Sequence, residues 1–385
     1  MRLNILVDEN IPAVEHFLTG LARITRVNGR ALQSSELQDV DALLVRSVTQ
    51  VNASLLRGSK VKFVGTATSG VDHIDQGYLS QHGIGFAHAP GSNANSVVEY
   101  VLAAIARVEG KFERLLDGGS VGIVGYGVIG KALAARLSAL RIDYLVYDPW
   151  LDQQTVSHPG SLHDILACDV VSLHAELTRQ QPWPSFHLLQ ASELACLRPE
   201  TLLINASRGP VVDNDALLTL LQTGQGPITV LDVWEGEPRL QQALLDQVLL
   251  GSAHIAGYSL DGKLLATRML CTAMASHFGL VLPHQDSPAG TLPALLVPDD
   301  CSGTDLLRYL LRARYDIACD DALLRDVTLG HDTVQAGLAF DLLRKTYRDR
   351  HELLGSTVQG NLQSPGDIAL VAGLGCIAVT TGTTL

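Results

Sequence analysis

The sequence predicts an α/β protein built on two parallel sheets, with a smaller mixed region behind them. Short β-branched runs alternate with amphipathic stretches, five of the runs recur at intervals of about 23 to 31 residues, and one opens directly into a glycine-rich turn that starts a helix. The first series of strands falls at Leu3–Val7, Ala42–Val45, Phe63–Gly65 and Ile84–Ala87, with helical patterns between them. Ala89-Pro90-Gly91-Ser92 is a turn followed by a plausible cap, and the helix-period segment 93–108 that follows bridges to the second series. That series runs Ser120–Val124, Tyr144–Tyr147, Val170–Leu173, Thr201–Asn205 and Thr229–Val233. Four prolines between Pro283 and Asp300 mark a linker. Beyond it, helical patterns at Asp305–Arg314 and Phe340–His351 and a helix–turn–strand signal at Asp367–Val379 make a small α/β region. The expected divisions are 1–95, completed by about 259–285; 96–258; and 286–385.

Composition narrows the function. The 385 residues carry 28 Lys and Arg against 40 Asp and Glu, a net charge of −12, which argues against nucleic-acid or anionic-membrane partners. With 46% hydrophobic residues and a mean hydropathy of +0.19, disorder is not the main state. The six cysteines form no C-x-x-C pair, so reduced thiols, a cytoplasmic location and no metal are expected. The uncharged stretch 368–385 is too rich in Gly and Thr to read as a membrane span.

The strand Ser120–Val124 runs into Gly125-Tyr126-Gly127-Val128-Ile129-Gly130 and then a helix-forming segment. Glycine is demanded there for a tight turn, for backbone approach to a pyrophosphate and for close helix–strand packing, with Val128 and Ile129 opening the helix whose N–H groups face the phosphates. Asp148 closes the next strand, where a carboxylate can hold the adenosine ribose hydroxyls. No Arg follows it, which favours NAD over NADP. The second series is therefore a Rossmann-type doubly wound sheet, and the first a flavodoxin-like lobe.

Oxidation of a hydroxy acid needs a base, a cation for the carboxylate and a group to hold the base. Arg208, in Asn205-Ala206-Ser207-Arg208-Gly209, Glu237, in Asp232-Val233-Trp234-Glu235-Gly236-Glu237-Pro238, and His254, in His254-Ile255-Ala256-Gly257-Tyr258, all lie at or past strand carboxyl ends. With the glycine loop, these segments resemble the D-2-hydroxyacid dehydrogenase family. The resemblance implies that His254 is the acid/base, that Glu237 pairs with it, and that Arg208 grips the carboxylate. It further places Ala206, Ser207, Asp232 and Gly257 at the cofactor, with Asp232 facing the nicotinamide carboxamide. Where the family has a threonine contact to the cofactor, this chain has Ala175, and only a backbone contact carries over. The stretch Arg179–Ser185 also departs from the family and reads as an altered surface loop.

The resemblance is closest to a branch that oxidises a four-carbon phosphorylated 2-hydroxy acid in vitamin B6 synthesis. It is carried by Leu6–Pro12, Val45–Thr49, Phe63–Thr68 and the tail segments Tyr315–Ile317, Asp320–Arg325 and Phe340–Lys345. It implies a substrate-binding first lobe with Ser47 and Thr68 on the substrate together with Tyr258, an active site in a cleft between lobes, and a homodimer formed through the C-terminal domain. A phosphate requires a second cation. Arg46 is expected to supply it, supplemented by Arg344, Lys345 and Arg348, with Arg344 and Arg348 on one helix face. The alternatives are 3-phosphoglycerate dehydrogenase and, from another class, a non-catalytic NAD(H)-sensing scaffold.

Overall fold

A computed structural model describes residues 2–380 except 285, 287–289, 291 and 363. The chain packs as two compact units, Met1–Asn93 with Ser259–Thr291, and Ala94–Tyr258 with Leu292–Leu385.

In the first unit, β1 (Leu3–Asp8), β2 (Ala22–Val27), β3 (Ala42–Val45), β4 (Phe63–Thr66) and β5 (Gly85–His88) form one sheet in the order β2-β1-β3-β4-β5, every pair parallel. This is the flavodoxin-like order. Leu6, Leu43 and Val64 enter the core on one face. Ile5, Val7, Leu44 and Phe63 enter that on the other, with Cys271 and Met274 of the helix Leu260–His277. Central β3 is wholly buried, as its unbroken apolar run predicts. Edge strand β2 was not anticipated from the sequence, because Arg23 and Arg26 interrupt its half-exposed alternation.

In the second unit, β6 (Ser120–Val124), β7 (Asp143–Tyr147), β8 (Val170–Leu173), β9 (Leu202–Asn205), β10 (Ile228–Leu231) and β11 (Leu250–Gly251) form a parallel sheet in the order β11-β10-β9-β8-β6-β7. Pro159 adds a single parallel bridge outside β7. The winding reverses between β6 and β8, and ligands of such sheets bind outside the strand carboxyl ends at that point. The helix Ala94–Ala106 is almost entirely buried, Glu99 included. A third sheet, β12 (Leu295–Leu296), β13 (Thr357–Gly360) and β14 (Ile377–Thr380), is also parallel. It shares a core with the helices Gly303–Arg314 and Pro365–Gly373, while the helices Ile317–Thr328 and Thr333–Lys345 pack against each other.

Two expectations are corrected here. The proline-rich stretch is not a plain linker, because Leu295 and Leu296 pair with Val358 and Gln359. Some of its residues, Pro288 among them, lie outside those described. The helix placed at Phe340–His351 instead spans Thr333–Lys345, started by Asp332, whose carboxylate accepts from the Val334 and Gln335 N–H groups. It stops at Lys345, after which side chains turn inward: the Tyr347 hydroxyl donates to Asp320 Oδ2 at 2.8 Å, and Arg350 stacks 4.0 Å over Tyr315. Arg348 therefore lies beyond the helix and shares no helix face with Arg344. Among the described residues no helix is long and apolar enough to cross a membrane.

Candidate active site

The glycine loop fits a dinucleotide by three different constraints. Gly125 has φ +91, and a Cβ there would lie 2.7 Å from the Ala175 backbone nitrogen. A Cβ on Gly130 would sit 2.0 Å from the Gly125 carbonyl, so the third glycine lets helix and strand touch. Gly127 faces open space, as a site where a pyrophosphate approaches the backbone requires. It caps the helix Val128–Ala139 with no side-chain hydrogen bond, leaving N–H donors for an anion. Val128 is 54% exposed there, and Ile129 half-buried.

Asp148 follows β7 directly. Its Oδ2 accepts from Tyr126 N–H at 2.8 Å and its Oδ1 from Trp150 N–H at 3.1 Å, which fixes the carboxylate beside the glycine loop with lone pairs to spare. The Trp150 indole donates to the Trp183 carbonyl at 3.0 Å, so the departing 179–185 loop is tied to the Asp148 turn. Next to Ala175, His174 donates or accepts through Nε2 with Ser172 at 2.9 Å, while its enclosed Nδ1 has no partner among the described residues. Burial pushes this imidazole down to about 4, so it is neutral.

The catalytic candidates meet on loops after β9, β10 and β11. Asn205 Oδ1 accepts from both the backbone and hydroxyl of Ser207, and Asn205 Nδ2 donates to the Arg208 carbonyl, shaping the turn that carries Ala206 to Arg208. Gly209 then packs directly on the next loop: a Cβ would lie 2.0 Å from the Trp234 carbonyl carbon and oxygen. In that loop Glu237 Oε1 accepts from Trp234 N–H at 2.9 Å, and Oε2 lies 2.8 Å from His254 Nδ1. A carboxylate accepts only, so Nδ1 carries the proton and Nε2 is the nitrogen left for chemistry. Burial would raise the Glu237 pKa, but the His254 charge and hydrogen bond, the Trp234 N–H and the Arg344 charge outweigh it and hold it below the usual 4.5.

His254 has φ 55, the left-handed region that few non-glycine residues adopt. Asp232, 1% exposed, enforces it. The Asp232 carbonyl accepts from His254 N–H at 2.7 Å, and its carboxylate accepts from Ile255 N–H, Ala256 N–H and the Ser252 hydroxyl at 2.7, 2.9 and 2.7 Å. The structure thus gives this acid an anchoring task that its position in the sequence did not suggest. Half-buried Gly257 follows the anchored segment, and the Tyr258 N–H donates to Ile255 at 2.7 Å.

In the first unit, Arg46, Ser47 and Thr68 lie on loops after β3 and β4. Arg46 is 4.0 Å from Asp8, Ser47 is exposed, and the Thr68 hydroxyl donates to the Gly70 carbonyl at 2.7 Å. In the C-terminal region Arg344 reaches the Tyr258 hydroxyl, Arg348 pairs with Asp320 at 3.5 Å, and Lys345 is exposed. Among the described residues no group of three or more His, Cys, Asp or Glu is placed to hold a metal.

Fold and site together define an NAD-dependent oxidoreductase of the doubly wound α/β class. Residues 103–256 match the NAD-binding domain of the D-isomer specific 2-hydroxyacid dehydrogenases, and residues 288–375 match a domain of unknown function, DUF3410. The chain is 44% identical over 375 residues to the erythronate-4-phosphate dehydrogenase of Cellvibrio japonicus, covering 94% of this chain and 96% of that one. It is 43% identical over 380 residues to that of Stutzerimonas stutzeri, covering 97% and 99%. In fold it is similar to a D-lactate dehydrogenase from Aquifex aeolicus complexed with NAD and lactic acid, with TM-score 0.58, 24% identity and coverage of 72% and 96%. The chain belongs to the D-isomer specific 2-hydroxyacid dehydrogenase family, in its erythronate-4-phosphate dehydrogenase branch.

Proposed function

We propose that this chain oxidises 4-phospho-D-erythronate to (R)-3-hydroxy-2-oxo-4-phosphooxybutanoate with NAD, a step of vitamin B6 synthesis. The observation that carries the reading is the near full-length similarity to erythronate-4-phosphate dehydrogenases, tail included. NAD, when bound, supplies the hydride acceptor. The glycine loop, Val128 and Ile129 hold its pyrophosphate, Asp148 its ribose, and Ala175, Ala206, Ser207, Asp232 and Gly257 line its path.

Arg208 grips the substrate carboxylate, which fixes C2 and its hydroxyl. His254 Nε2 takes the hydroxyl proton as the C2 hydride departs, and the imidazolium that forms is stabilised by Glu237 at Nδ1. Because Glu237 stays ionised, that support is present throughout the neutral range. Asp232 contributes by holding the His254 backbone in its left-handed conformation. Arg46, Ser47, Thr68 and Tyr258 bind the remainder of the substrate.

The same reading makes the C-terminal region a homodimerisation domain in a cytoplasmic enzyme. Two apolar faces support dimerisation: Leu296, Ile377 and Val379 on the third sheet, and the stripe Val334, Leu338 and Leu342 at helical spacing, all exposed in the single chain.

The test is NADH formation from NAD with 4-phospho-D-erythronate, beside 3-phosphoglycerate and unphosphorylated erythronate, with and without an added 2-oxo acid to reoxidise retained NADH. Strong preference for 4-phospho-D-erythronate is expected. Preference for 3-phosphoglycerate would move the substrate assignment, and inactivity on all three despite NAD binding would overturn the reading.

A further inference from the structure

Arg344 closes the helix Thr333–Lys345, inside the stretch that matches the domain of unknown function, yet its guanidinium lies at the catalytic loops. Nη2 donates to the Tyr258 hydroxyl at 3.3 Å, and Cζ lies 5.9 Å from the Tyr258 ring centre. That ring is braced edge-on by Tyr347 at 5.9 Å. The cation is close enough to Glu237 to help hold its carboxyl ionised. Arg344 Nε is enclosed and has no hydrogen-bond partner among the described residues.

An enclosed guanidinium N–H without an acceptor is costly, and such groups in folded proteins ordinarily find a partner or await one. Its neighbours in the sequence are placed differently. Arg348 is paired with Asp320; Arg350 also has an enclosed nitrogen, Nη1, without a partner among the described residues, but its Nη2 donates to the Ala256 carbonyl at 2.7 Å and to the Ser96 hydroxyl and its guanidinium stacks on Tyr315. The unmet donor lies beside Tyr258, four residues after the acid/base histidine.

A substrate with a carboxylate and a phosphoryl group presents two anions, and Arg208 answers to the first. We propose that Arg344 recognises the second, the phosphoryl group, so that the C-terminal region supplies the residue that selects phosphorylated hydroxy acids. Arginine suits this task because its planar fork presents several N–H groups to the phosphoryl oxygens, whereas lysine offers a point charge. The inference rests on the functional reading above, that the substrate is phosphorylated.

The experiment compares wild type, Arg344→Gln and Arg344→Lys in turnover of 4-phospho-D-erythronate and D-erythronate, and in calorimetric binding of both to the enzyme–NADH complex. NADH affinity serves as the check that the variants are folded. For Arg344→Gln the expected result is a fall of about 10- to 100-fold in kcat/KM and in affinity for the phosphorylated substrate, with D-erythronate changed by less than about threefold and Arg344→Lys in between. Equal losses on both substrates would show that Arg344 merely positions Tyr258 and Glu237, and unchanged discrimination would show that it does neither; each overturns the proposal. A wild-type enzyme that neither binds nor oxidises 4-phospho-D-erythronate would instead bring down the functional reading, and the Arg344 assignment with it.

Discussion

Replacing Gly209 by alanine tests how the Arg208 turn is held against the Glu237 loop. The added Cβ would sit 2.0 Å from the carbonyl carbon and oxygen of Trp234 and 2.5 Å from the Glu235 nitrogen. Carbon needs about 3.5 Å, so the two backbones must separate by roughly 1.5 Å. The Trp234 side cannot yield cheaply: its ring is buried, its indole donates to the Ser252 carbonyl at 2.9 Å and its backbone N–H holds Glu237. The displacement therefore falls on the turn carrying Arg208. A misplacement of about 1 Å at a substrate-positioning group costs on the order of 100-fold in rate, and overpacking of this kind about 1–3 kcal/mol in stability. NADH appearance under steady-state conditions should show kcat/KM lowered on the order of 100-fold, with NADH affinity near that of wild type and a lower Tm. A Gly209→Ala enzyme within threefold of wild type and melting at the same temperature would refute the close packing of these two loops.

Glu237→Gln should remove an acid-side stability change. Its carboxyl lies below 4.5 in the folded chain, so its stabilisation is whole above the ordinary carboxylate range and fades as pH falls through the lowered pKa; urea midpoints from pH 3 to 6 should be flatter in the variant, and identical profiles would contradict the pairing. Glu99 works in the opposite sense. Burial first, then the charge of Glu352, raises its pKa to about 7, so stability falls as pH rises from 4.5 through about 7. Glu99→Gln keeps an acceptor for the Leu353 and Leu354 N–H groups and should be more stable than wild type at pH 8 by about 1–3 kcal/mol, read from denaturant melts. Asp148→Ala should weaken NAD binding by about tenfold or more while narrowing the margin against NADP. Equal NAD affinity in a fluorescence titration would remove Asp148 from the ribose site.

Much of this was legible in the sequence because its signals are local. The glycine loop announces itself through spacing, and the structure shows a separate reason for each of Gly125, Gly127 and Gly130. Buried strands such as β3 and β8 stand out as unbroken apolar runs. Edge strand β2 was hidden by its arginines, and the two-residue strands β11 and β12 are too short to carry any period. The helix Thr333–Lys345 was misplaced by several residues because its charged last turn continues into Arg348 and Arg350, whose tertiary partners, not local propensity, end it. Arg208, Glu237 and His254 were legible as residues in their motifs. The anchoring by Asp232 was not, since it depends on N–H groups 23 and 24 positions away. The part played by Ser252 shows in the sequence only as a small hydroxyl two residues before the histidine.

The central claim is that His254, held by Glu237, takes the proton that leaves as hydride is transferred. The most direct measurement is rapid mixing of NAD and 4-phospho-D-erythronate with wild type and with His254→Asn, following the first turnover of NADH alongside NADH affinity. The account predicts a prompt NADH burst in wild type and a rate lower by about 100-fold or more in the variant, with cofactor affinity unchanged. A burst of near wild-type rate in His254→Asn would contradict it.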